Sequence, residues 1–85
     1  MAVEALELRE RNGRLKHWLS QRPVNSGDVI EVCFSGGWVA MRYEWDEPDA
    51  RTRPRFYFSV ELGGGRVWES SLELPSDALL RWPRH

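Results

Sequence analysis

Cysteine occurs once in this chain, at Cys33, and histidine only twice, at His17 and His85. A lone thiol cannot close an internal disulfide and suits a reducing compartment, so the expected location is cytoplasmic. No Cys-x-x-Cys, no His-Glu-x-x-His and no pair of histidines on one helical face is present. Zinc or iron ligation therefore has no spacing to rest on, and neither a metal nor another cofactor is expected. Long apolar runs are missing too: the longest, Trp38 to Met41, is far short of the roughly 20 residues that cross a bilayer as a helix. Residues 1–12 carry acids where an export signal would carry a basic region and an apolar stretch, which reads as a non-exported protein. Neither sign of charge prevails. Thirteen acidic and twelve basic residues leave a net charge of −1, which supplies no overall field to hold a polyanion. A local basic patch stays open, and no small-molecule substrate is implied.

What the chain has in quantity is aromatic surface. Five Trp, three Phe and two Tyr occur among 85 residues, and each can bury roughly 150 to 250 Å². A chain of this length makes one domain, residues 1–85, that buries only about 60% of the surface its unfolded form exposes, so large side chains must supply the core.

Residues 1–13 read as an N-terminal helix or arm, and residues 14–85 as the β part. Ala2 to Arg11 are helix formers, Glu7 and Arg11 stand at i and i+4, and Asn12-Gly13 suits a left-handed helix cap. A helix is favoured. The rival uses Asn12-Gly13 as a type I′ turn and sets Leu6 and Leu8 opposite Leu19 and His17. Arg14 to Gln21 fits either period, through Leu15, Trp18 and Leu19 or through Leu15, His17 and Leu19.

Two hairpins follow. Ile30, Val32 and Phe34 alternate, as do Val39, Met41, Tyr43 and Trp45, with Gly36-Gly37 between them. A turn on those glycines sets Phe34 against Val39, Val32 against Met41, Ile30 against Tyr43, Glu31 against Arg42 and Cys33 against Ala40. Phe56, Phe58, Val60 and Leu62 alternate before Gly63-Gly64-Gly65, and an odd loop with a bulge sets Val60 against Trp68, Phe58 against Ser70 and Phe56 against Leu72. Residues 46–54 form a polar loop. Pro75-Ser76-Asp77 opens a tight turn before a last apolar piece, Ala78 to Trp82. The expected fold is mainly β: a small antiparallel barrel of about five strands with a short N-terminal helix.

Gly27-Asp28, Glu31-Val32, Gly37-Trp38-Val39 and Arg42-Tyr43-Glu44 carry a resemblance. Residues 27–45 are similar to the opening hairpin of SH3-like barrels of the Tudor and Agenet kind, and to small bacterial domains of unknown function with the same pattern. The resemblance covers about a quarter of the chain and implies a fold more than a function. No aromatic cage for a methylated lysine can be assigned in it.

No constellation supports an enzyme. Cys33 and His17 form a nucleophile pair only on paper, since a small thiol beside Ala40 on a strand is the ordinary state of a free cysteine. The three glycines lack the Lys-Ser/Thr of a phosphate loop. Glu44, Asp46, Glu47 and Asp49 lack the spacing of a calcium loop. Trp38 shares its parity with Ala40 and Arg42, so a large aromatic should stand off the core face, joined by Tyr57. Trp38, Tyr57 and Arg42 are thus the expected anchors for a protein partner or a homodimer. The competing account has the N-terminal helix or the segment with Trp18 covering that face as a second small core. The alternative function is nucleic-acid binding by Arg51, Arg53, Arg55, Arg81 and Arg84, with Trp82 or Tyr57 stacking on bases.

Overall fold

Alternation of apolar residues governs the chain from Leu6 onward. In the computed structural model, which describes residues 4–46, 49 and 51–84, the strands are β1 (Glu7–Arg11), β2 (Arg14–Leu19), β3 (Arg22–Pro23), β4 (Val29–Phe34), β5 (Gly37–Glu44), β6 (Arg55–Gly63), β7 (Arg66–Leu72) and β8 (Leu80–Arg81). They form two antiparallel sheets, ordered β1-β2-β3 and β7-β6-β5-β4-β8.

Among the described residues the expected N-terminal helix is absent. Asn12 and Gly13 take φ of 55° and 75°, the two positive values a type I′ turn needs, and Leu8 faces His17 across it. Helix propensity over so few residues is weak, since a helix shorter than about 12 residues is marginal without packing. The strand wins because it turns Leu15, His17 and Leu19 together toward the interior, with Leu6 packed at the border.

The first long hairpin differs from expectation in register but not in face. Its turn falls on Ser35-Gly36 with φ of 48° and 81°, pairing Ile30 with Met41, Val32 with Val39, Cys33 with Trp38 and Phe34 with Gly37. This slip of two residues keeps glycine at the second, left-handed turn position and preserves side-chain parity. Ile30, Val32, Met41 and Tyr43 all remain buried. Glu31 now lies opposite Ala40 and reaches instead to Arg81 on β8, 2.7 Å away. The second long hairpin has the expected register, Phe56 with Leu72, Phe58 with Ser70 and Val60 with Trp68, with an irregularity between Glu61 and Gly63.

Among the described residues no closed barrel forms. The three-stranded sheet lies over the inner face of the larger one, and Leu19, Ile30, Val32, Tyr43, Phe56 and Leu80 fill the space between. One border is stitched by the Glu4 and Leu80 backbones, which exchange hydrogen bonds of 3.1 and 2.9 Å. On the opposite border β7 has no strand beyond it among the described residues. Trp68, which pairs with Val60 as expected, is 63% exposed. The radius of gyration is 13.7 Å, against about 12 Å for a compact domain of this length.

The turn between β2 and β3 places two consecutive non-glycine residues in the left-handed region. Ser20 and Gln21 both adopt left-handed φ, 52° and 65°, where a side chain costs roughly 1 kcal/mol or more. The Ser20 N–H is held by the Glu4 carboxylate. Gln21→Gly should therefore raise folding stability by roughly 0.5 to 1 kcal/mol. Urea unfolding of the variant beside the parent measures it, and an unchanged or lower midpoint would show that the turn is unstrained.

Candidate functional site

The five-stranded sheet has an inner face, covered by the N-terminal hairpin, and an outer face that hairpin does not reach. Trp38, Arg42 and Tyr57 all project on the outer side, as parity demands. Arg42 and Tyr57 are cross-strand neighbours, and the guanidinium lies 4.9 Å over the phenol ring. Trp38 stands four residues back along β5, roughly 13 Å at the usual strand rise, so it does not join them. Each aromatic is half-buried beneath an arginine. Arg81 covers Trp38 at 4.0 Å while pairing with Glu31. Arg42 donates to Glu69 at 3.0 and 3.2 Å and to Glu44 at 2.9 Å. Those carboxylates raise the Arg42 pKa, and the guanidinium lowers that of Glu69. Trp18, the cover for this face in the competing account, lies on the other sheet, 4.6 Å under Arg9.

The five arginines of the nucleic-acid alternative do not gather with free hands. Arg55 donates to Ser71 and lies 3.9 Å from Glu73, and Arg51 lies 4.0 Å from Asp49. Arg53 donates to the Leu74 carbonyl, and Arg81 is engaged as above. Arg84 is exposed. Trp82 donates its indole N–H to Leu19 O at 2.8 Å and carries Arg22 at 4.1 Å.

Two features escaped sequence reasoning. The first is an arm: every residue from Ser59 to Glu69 is exposed, including Val60, Leu62, Val67 and Trp68. Their alternation was visible, but nothing in the sequence marked where the covering sheet stops. The second is a cavity of about 210 Å³ between the sheets, walled by Leu6, Leu8, Phe56, Leu74, Ala78 and Leu80 and reached by His17, Thr52, Arg53 and Ser76.

His17 is the polar centre of the interior. Its Nδ1 lies 2.6 Å from the Tyr43 hydroxyl, and its ring packs 4.3 Å from that of Trp45. Tyr43 is 1% exposed, and its phenol pKa is pushed up by burial. The hydroxyl keeps its proton and must donate it, and among the described residues His17 is its partner. Nδ1 therefore accepts, which places the ring proton on Nε2. Burial, and then the charge of Arg53, push the imidazole pKa down to about 4. Cys33 projects from the outer face, so it and His17 do not meet. Glu47 of the acidic loop and His85 lie outside the described residues. Among those described, no three His, Cys, Asp or Glu side chains gather as a metal site, and no helix is long and apolar enough to cross a membrane. Comparison with protein-family models, curated proteins and solved structures gives no match.

Because the folded-state pKa of His17 lies below the value of about 6.5 it takes when unfolded, the unfolded chain binds the proton first as pH falls. The contribution of His17 to stability is thus full above pH 6.5 and is lost between there and about 4. Imidazole NMR should give a His17 midpoint near 4, and urea unfolding at pH 7.5, 5.5 and 4.5 should show a decline that His17→Leu flattens. A midpoint near 6.5 would overturn this account of the interior.

Proposed function

We propose that this chain is a non-catalytic protein-interaction module that grips its partner with the β6–β7 arm. The observation that carries this reading is the exposure of Val60, Leu62, Val67 and Trp68 on a two-stranded ribbon with both faces in solvent. Such a ribbon is marginal in water by itself, and clustered exposed apolar side chains mark interaction surfaces. A notch beside the arm supports the same reading. β5 and β6 pair only from Arg42 with Tyr57 to Glu44 with Arg55, although β5 begins at Gly37 and β6 runs on to Gly63. Past that fork, each strand has a side with no strand partner, flanked by Val39 and Val60 (40% and 38% exposed). An extended segment of a protein partner can add there as a strand, its backbone paired and its side chains on the apolar flank.

The arginine-capped aromatics of the outer face, Trp38 under Arg81 and Tyr57 under Arg42, serve in this reading as a polar rim. The likeness of residues 27–45 to SH3-like hairpins suits a binding module, and a cytoplasmic setting suits its free thiol. A second copy of the chain belongs to the same class of partner as another protein.

The double variant Val60→Ser, Trp68→Ala alters exposed positions, so its folding stability should change by less than about 1 kcal/mol. Its complex should weaken by about 2 kcal/mol or more, roughly 30-fold. Sedimentation reads self-association. Capture from nuclease-treated native lysate, followed by hydrogen exchange on the purified complex, reads a protein partner, with protection expected at residues 37–41 and 58–69. Unaltered association by the double variant, or association that vanishes on nuclease treatment, would sink the proposal.

A further inference from the structure

We propose that the cavity between the two sheets binds a small monocarboxylic acid with an apolar body, its carboxylate held by Arg53 and by the Nε2–H of His17. This inference is independent of the arm.

The walls set the body of the ligand. Leu6 and Leu8 come from the N-terminal end, Phe56 from β6, Leu80 from β8, and Leu74 and Ala78 from the segment between β7 and β8. Four parts of the chain thus converge on one apolar hollow, the usual form of a small-molecule site. Its volume of about 210 Å³ lies below the roughly 300 to 1,000 Å³ of pockets that take drug-sized ligands. That suits an acid such as hexanoate or benzoate and is too small for a drug-sized molecule.

The polar groups set the head of the ligand, and they are donors. Tyr43 occupies Nδ1 of His17, leaving Nε2 to carry the proton. Among the described residues Nε2 has no hydrogen-bond partner, although it is not sealed from solvent. Arg53 enters from the loop before β6. It spends one N–H on the Leu74 carbonyl, and no described carboxylate pairs with it. A planar cation beside a neutral N–H donor matches the two oxygens of a carboxylate. A cation would meet the guanidinium at close range. A purely apolar ligand would strip water from both donors without replacing their hydrogen bonds. His17 and Arg53 line the same hollow, so one anion bound there meets both donors.

Chemical-shift titration of the isotope-labelled chain with hexanoate and benzoate, against hexanol and benzamide as neutral counterparts, tests this. The acids should give saturable shifts at His17 and at the Leu6 and Ala78 amides, and the neutral probes should bind at least tenfold more weakly. Arg53→Gln should weaken the acids tenfold or more, and Arg53→Lys should restore part of that loss by returning the charge. Because Arg53 is exposed, the unperturbed amides of β4 and β5 will report that the variants are folded. Absence of saturable shifts with both acids, equal binding of the neutral probes, or acid binding untouched by Arg53→Gln would each overturn the proposal.

Discussion

The hydrogen bond between His17 and Tyr43 ties the three-stranded sheet to the middle of the five-stranded one, and the rest of the arrangement depends on where that contact falls. Buried at 2.6 Å, it sets the depth at which the N-terminal hairpin seats, with Leu19 beside it in the core. Leaving either group unpaired there would cost on the order of 1 to 3 kcal/mol, so the two sheets cannot slide freely past one another. The T-shaped contact of Tyr43 with Phe56 at 5.8 Å continues the same contact into β6. The indole N–H groups at its flanks are also satisfied, Trp45 by Thr52 and Trp82 by Leu19.

The same seating decides what is left uncovered. A hairpin of five- and six-residue strands cannot roof strands of eight and nine residues. Where the roof ends, Val39, Val60 and Trp68 lose their cover, and β5 and β6 part. The hollow lies between the sheets, with Leu6 and Leu8 of the N-terminal segment in its wall and Arg53 reaching it.

Much of this was legible in the residues. Strict alternation gave Ile30, Val32, Met41, Tyr43 and Phe56 their face, and the odd glycine loop gave the pairing of Phe56 with Leu72. Parity placed Trp38, Arg42 and Tyr57 outside. The N-terminal segment was misread as a helix because Glu, Leu and Arg favour one locally, whereas the deciding contact, Leu15, His17 and Leu19 against the distant β4 and β5, is tertiary. The first hairpin's turn was placed one residue late because Gly36-Gly37 and Ser35-Gly36 both offer glycine to a tight turn, and the two registers bury the same side chains. The cavity could not be read, since it joins His17 to Arg53 through a packing of sheets that no local pattern encodes.

The stitch between Glu4 and Leu80 has a mechanical consequence. In an antiparallel bridge, the incoming end of one segment and the outgoing end of the other leave from the same side. A force applied through the two ends of the chain would therefore peel the backbone hydrogen bonds of Glu4 and Leu80 apart in sequence rather than load them together in shear. Under tension the molecule should open like a zipper from that border, freeing β8 and then the N-terminal hairpin, while the long hairpins stay folded.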